Sequence, residues 1–204
     1  MEYDPTTRAG AWVTAKSRQY VAVAISCAFG TAAVLLALIA VRAPQPLLVV
    51  ASFGGLLLMV GVVSPIGDLA DRYRKGSVAE QAVGDALDGL RGDGFIVLHD
   101  VLYPRGGNID HIVSGSTGVY LIETKFRRFE ERQLGKAKQQ ALWLHDELGV
   151  WVTPVMCLAI RDHAPWTQKK VEIVPRQHLA DWIKKQRNPP VDFDRLARFA
   201  DGLN

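Results

Sequence analysis

The chain has 204 residues, 22% of them charged, and a formal net charge of +3, a length that holds one or two domains. Overall charge points to no class of partner, because residues 68–204 are almost balanced between basic and acidic side chains; only local clusters can carry that argument. Between Arg18 and Asp68 only Arg42 is charged, which excludes a wholly water-soluble chain of ordinary composition.

Residues 20–41 carry no charge and as a helix would reach about 33 Å, enough to cross a hydrocarbon core of about 30 Å. Arg42-Ala43-Pro44-Gln45-Pro46 follows, and its two prolines break any continuous helix. A second apolar run, residues 47–63, ends at Ser64-Pro65. The two runs predict a tight transmembrane hairpin over residues 20–66. Lys16 and Arg18 precede it, Arg72, Arg74 and Lys75 follow it, and the connecting loop has only Arg42. That asymmetry puts both ends, and the rest of the chain, on the cytosolic side of a bacterial-type inner membrane. The rival reading is a cleaved secretory signal, whose apolar core of about 7–15 residues would be shorter than either run. Ala51 and Gly55, spaced as a small-xxx-small pair, are candidates for packing the hairpin or a neighbouring chain.

Residues 1–19 read as a cytosolic tail and 67–76 as a juxtamembrane linker. From Ser77 the residues Val78, Ala82, Val83, Ala86, Leu87 and Leu90 recur at helical spacing until Gly92-Asp93-Gly94. Residues 95–101 read as a strand. Residues 108–114 and 119–124 alternate as two more, joined by Gly115-Ser116-Thr117-Gly118, a turn composition. Residues 133–148 form a helical pattern, 151–160 and 170–174 two apolar strands, and 178–187 and 194–200 closing helices around Asn188-Pro189-Pro190. The order from Ser77 is α-β-β-β-α-β, an α/β class with helices packed on one sheet. Cys27 and Cys157 lie in apolar segments without a nearby Cys or His partner. They read as buried thiols in a reducing compartment, not as a disulfide or zinc site.

Asp110, Glu123 and Lys125 are polar residues inside apolar strands. The two-residue period of a strand places Glu123 and Lys125 on one face. If Gly115 and Gly118 close the hairpin, paired residue numbers sum to 233 and Asp110 stands opposite Glu123, with Cβ atoms about 4.5–5.5 Å apart. Carboxylates so placed repel unless a cation lies between them, and a hard divalent ion with oxygen ligands, Mg²⁺ or Mn²⁺, suits the pair. A bulge in the turn would shift this register. His111 is expected on the opposite strand face, with Ile109 and Val113, as a hydrogen-bonded structural histidine. Ser77-Val78-Ala79-Glu80 has the form of a capping box, so Glu80 has a structural reading as well. Gln140 has one too, as a surface residue of its helix.

The segments Gly107-Asn108-Ile109-Asp110-His111-Ile112-Val113 and Gly118-Val119-Tyr120-Leu121-Ile122-Glu123-Thr124-Lys125 resemble the central motif of the NERD (nuclease-related) domain. That family is similar to the PD-(D/E)XK nuclease superfamily, and the resemblance runs from Ser77 to Val174, with a domain over residues 77–175 and a helical extension over 176–204. It implies a restriction-endonuclease-like sheet core preceded here by two transmembrane helices. It also implies that Asp110 and Glu123 bind metal, with Glu80 as a further acid, that Lys125 is the catalytic lysine, and that Gln140 is the glutamine found near the site. The implied chemistry is hydrolysis of phosphodiester bonds in DNA or RNA with Mg²⁺ or Mn²⁺. Phe126 stands where an Asn often follows the lysine in this family.

Arg127, Arg128, Arg132 and Lys136 form a cationic stretch after Lys125, expected either to attract phosphate backbones or to be a solvated helix face. Phe126 and Phe129 are candidates for stacking on bases. Two rival functions belong to other classes. One is a non-catalytic module of the same fold that tethers nucleic acid or a protein to the bilayer. The other is a subunit of a larger membrane assembly or homo-oligomer, with the hairpin as its interaction element.

Overall fold

The computed structural model describes residues 11–58, 60–61, 64–189 and 199. Contacts divide the chain into two compact units, Trp12–Lys75 and the remainder. The predicted helix over residues 194–200 lies outside the described residues except at Phe199.

In the apolar unit, α1 (Ala11–Ala40) is followed by a turn and α2 (Gln45–Leu58). Among the described residues one helix, the 24-residue Ser17–Ala40 stretch with a mean hydropathy of 2.4, is long and apolar enough to cross a membrane, and its apolar centre is not buried by protein. Where a second crossing is expected there is a 14-residue apolar helix, about 21 Å long at 1.5 Å per residue and short of the roughly 30 Å of a hydrocarbon core. A Cβ built at Gly55 would lie 2.8 Å from Thr31 Cγ2, so the small residue there lets α2 approach α1 closely.

The expected linker is helical. α3 runs from Ser64 to Asp88 without a break at Gly76 or Ser77. Pro65 sits in its first turn, where a missing N–H costs nothing, and Asp71 pairs with Arg74 at 2.8 Å and Lys75 at 2.6 Å. Ser77 is therefore in a helix interior, and the capping-box reading of Glu80 does not hold.

A short 3₁₀ turn, Gly89–Asp93, leads into the sheet unit. Its elements are β1 (Ile96–Leu102), β2 (Asn108–Gly115), β3 (Gly118–Lys125), α4 (Glu131–Leu148), β4 (Val152–Leu158), β5 (Trp166–Gln168), β6 (Val171–Pro175) and α5 (Arg176–Lys185). The sheet order is β1-β2-β3-β4-β6-β5. β1, β2 and β3 are antiparallel neighbours, β3 to β4 and β4 to β6 are parallel, and β5 returns antiparallel to β6. This is the expected α-β-β-β-α-β order with the three-residue β5 added.

Ala79, Val83 and Leu87 of α3 and Leu179 and Ile183 of α5 pack on one face against Val113, Tyr120, Ile122, Val155 and Val174. On the other face α4 presents Ala141, Leu144 and Leu148 to Ile112, Val119, Leu121 and Val152, and Leu134 to Met156, Leu158 and Ile173. β3 and β4 are thus covered on both faces, which is why their sequences are nearly unbroken apolar runs.

Candidate active site

The β2–β3 ladder runs from Gly115↔Gly118 to His111↔Ile122, the register in which paired numbers sum to 233. Gly118 makes the turn possible with φ +122°, a conformation that a Cβ disfavours. Asp110 and Glu123 are the next residues of the two strands beyond the last pair. There the Asp110 carboxylate accepts a hydrogen bond of 2.6 Å from the Thr124 amide.

One departure from strand regularity shapes this end of the sheet. The β1–β2 register passes from His99↔His111 to Val101↔Ile109, and Asp100 between them has φ +52°, a conformation uncommon for any residue with a side chain. Alternation breaks there. Val101 and Ile109 pack under α4, whereas Val113 packs with the α3 side, so Ile109 does not share the face of Val113 as the strand period predicts.

Glu123 is 4% exposed. It accepts hydrogen bonds from Lys125 Nζ at 2.7 Å and from Lys136 Nζ at 3.3 Å. Burial works against the Lys125 charge, but Glu123, Asp110 and Glu80 outweigh it and hold its pKa above the ordinary lysine value. Burial, and then the Glu123 charge, push Asp110 up to about 7. Glu80, brought from α3, is pushed up to about 9 by burial and by the charges of Asp110 and Asp100. Gln140 is fully buried, and not on the helix surface; its Nε2 donates to the Asn108 carbonyl at 3.2 Å. Its Oε1 is buried without a hydrogen-bond partner among the described residues.

The structure therefore gathers Glu80, Asp110, Glu123, Lys125 and Gln140 around one end of the hairpin. It places Lys136 beside them, as a half-exposed partner of Glu123. Arg127, Arg128 and Arg132 are exposed, with Arg132 paired to Glu130 at 2.6 Å. Phe126 and Phe129 are half-buried against core clusters.

Sequence reasoning missed two features. Asp100 adds an acid close enough to raise Glu80; its one signal was a polar residue inside the apolar run of β1. The second is a hydrogen-bonded chain behind the site that runs from the exposed Asp88 into the core. Asp88 Oδ1 lies 3.2 Å from His99 Nε2, the two Nδ1 atoms of His99 and His111 are 2.8 Å apart, and His111 Nε2 is 3.1 Å from Thr124 Oγ1. Burial, and then His99, hold His111 well below the usual histidine pKa, hence neutral. A His99 that donates Nε2–H to Asp88 can accept at Nδ1 from His111, whose Nε2 then accepts the Thr124 hydroxyl proton. The chain holds Thr124, whose amide holds Asp110.

Among the described residues, no three His, Cys, Asp or Glu side chains stand close enough together to ligate an ion as they are arranged. Glu123 is turned to its two lysines instead. The donor set nevertheless fits a hard cation. It offers the carboxyls of Asp110 and Glu80, whose charged forms burial and neighbouring acids disfavour and a cation would favour, beside a buried amide oxygen without a donor among the described residues.

No curated protein and no solved structure matches the chain. A family model described as the nuclease-related domain matches residues 75–179, which takes in α3 from Lys75, the hairpin, α4, all six strands and the start of α5. On that match over more than half its length, the chain belongs to the NERD, or nuclease-related domain, family.

Proposed function

We propose that this protein is a membrane-anchored, divalent-metal-dependent hydrolase of phosphodiester bonds in DNA or RNA. The observation that carries the reading is the convergence of Asp110, Glu80 and Glu123 on Lys125 in a chain of the nuclease-related family. Repelling acids beside a charged lysine are costly in a partly buried site without a use.

In this reading Asp110, Glu123 and Glu80 would hold a Mg²⁺ or Mn²⁺ ion, which would supply Lewis acidity for the phosphate and for water at the site. Glu123 can do so only by sharing its oxygens with Lys125 and Lys136. The Lys125 ammonium orients the attacking water or stabilises the charge developing on phosphate. Gln140 Oε1, a buried acceptor without a partner among the described residues, would take a hydrogen bond from the attacking water. Arg127, Arg128 and Arg132 draw the phosphate backbone in. α1 anchors the protein in the bilayer, and α2 returns the chain beside it.

The test uses the full chain in detergent. Single- and double-stranded DNA and RNA are incubated with it in Mn²⁺, in Mg²⁺ and in chelator. Cleavage is expected with metal and none in chelator, and Lys125→Ala is expected to lower it by roughly 10²–10³, the scale of losing one electrostatic stabiliser. Binding without cleavage in any metal would replace this reading with that of a non-catalytic tether. Metal-dependent cleavage undiminished in Lys125→Ala would remove Lys125 from the chemistry.

A further inference from the structure

Across α4 from the site lies a groove of about 320 Å³, walled by α4, β4 and the β5–β6 turn, at the low end of volumes that hold small ligands. Its apolar surface includes Leu142, Trp151 and Pro154, and every ionisable side chain lining it is a lysine or a histidine: Lys138, His145 and Lys170. Trp151 is 64% exposed and Leu142 59%. An indole left in water beside two lysines, with no acid in the lining, is the combination that holds a nucleobase on its face and a phosphate at its side. A protein surface seated there would have to bring the acids itself.

The groove is also connected to the site by charge. At 100° per residue, Lys136 and Gln140 lie on one flank of α4 and Lys138 and His145 on the other. The two flanks meet around the N-terminus of α4, where Arg127, Arg128 and Arg132 are exposed. On the groove side, Lys169 pairs with Glu131 and leaves Lys170 next to it. Arg132 and Lys169 are paired with Glu130 and Glu131 there, so Arg127 and Arg128 on the site side and Lys138 and Lys170 on the groove side are the basic side chains offered to a strand that runs from Lys125 towards Trp151.

We infer that this groove is a nucleic-acid subsite that takes an unpaired base on Trp151, so that the substrate class is single-stranded nucleic acid or a duplex with an unpaired end. A base inside a duplex is stacked on both faces and cannot offer one to an indole, whereas every unpaired base can. The inference rests on the proposed action on nucleic acid but not on its catalytic step.

The test is the affinity of the detergent-solubilised full chain, in chelator, for a short fluorescent single-stranded oligonucleotide and for its blunt duplex. Trp151→Ala is expected to weaken single-strand binding by roughly fivefold to a hundredfold, the scale of one lost base stack, and to leave duplex binding unchanged. Trp151→Phe should keep most of the affinity, because its ring still stacks. Lys138→Ala combined with Lys170→Ala should lower the salt dependence of single-strand binding by about 1–2 units of slope. Single-strand affinity unchanged in Trp151→Ala, or an equal loss for the duplex, would overturn the subsite. So would a Trp151→Ala chain whose only change, by light scattering, is from dimer to monomer, since the groove would then hold a second copy. Trp151-dependent binding by a protein that never cleaves leaves the subsite standing and removes the catalytic reading. Cleavage of the single strand by Trp151→Ala at the parent's rate and affinity does the opposite.

Discussion

Asp110 and Glu123 are neighbours with the same charge, yet the structure gives them opposite roles in stability. Glu123 accepts from Lys125 and Lys136, so Glu123→Gln strands two cations and should cost about 1–3 kcal/mol, the penalty of a buried group left without its partner. Among the described residues Asp110 accepts a hydrogen bond from the Thr124 amide alone, and burial and Glu123 raise it to about 7. Below about pH 4, the ordinary carboxylate range, both folded and unfolded chains hold that proton. As pH rises the unfolded chain releases it first, so the folded state loses stability up to about 7, and further towards about 9 through Glu80. Asp110→Asn should flatten the part of this slope up to 7 and leave the metal-free protein as stable as the parent or more so. Mn²⁺ should raise the parent's melting temperature by mass action, and the Asn variant should show little of that rise. Thermal melts across pH, with and without Mn²⁺, read all three effects. A parent indifferent to Mn²⁺, together with a destabilised Asp110→Asn, would make the cluster a structural ion-pair network.

Among the elements, the β2–β3 hairpin was the most legible, because a four-residue Gly-to-Gly turn leaves one register that keeps the apolar set inside. That register has a cost at Gly115. A Cβ there would lie 2.2 Å from the Phe95 ring, and the glycine backbone is not in the left-handed region, so any penalty is packing and not strain. Gly115→Ala should destabilise the chain by about 1–3 kcal/mol. Phe95→Leu in the same chain, which removes the ring, should recover part of the loss in a double-mutant melt. Equal stability of Gly115→Ala and parent would mean that the turn register adjusts freely. Other elements were less legible for local reasons. The Ser77–Glu80 pattern imitates a helix start, but Pro65 and the Asp71 ion pairs extend α3 back to Ser64. The break at Asp100 is a reversal of one residue's φ, to which the period of two is blind. The His99–His111 contact joins different strands, and no spacing along either strand encodes it. β5, with three residues, is shorter than any window in which alternation can be recognised.

At the scale of the whole chain, helix length and flanking charge bear on which side of a membrane the nuclease-related unit occupies. Ser17–Ala40 would reach about 36 Å as a helix, enough for a crossing. α2 is 14 residues, short of a crossing by itself, so helix length alone allows the chain to end on either side. Our expectation of a return rests on charge and packing. Lys16 and Arg18 flank the start of the apolar unit and Arg72, Arg74 and Lys75 its end, while the turn carries only Arg42; basic residues that flank membrane helices stay in the cytosol. The close approach of Gly55 to Thr31 holds α2 against α1, and a bilayer can thin locally round a short helix at a modest cost per ångström. We therefore expect Thr6 and Asn204 on the cytosolic side and Gln45 outside. The check replaces Cys27 and Cys157, the two native thiols, with Ser and introduces single cysteines at those three positions. In intact cells a membrane-impermeant thiol reagent should label Gln45→Cys alone. Labelling of Asn204→Cys but not Thr6→Cys would mean that only α1 crosses and that the nucleic-acid chemistry faces outward. An isolated protein whose mass lacks the first apolar stretch would identify that stretch as a cleaved signal. In either case a site dependent on cytosolic nucleic acid would be on the wrong side of its substrate, so this labelling pattern tests the location on which the proposed function depends.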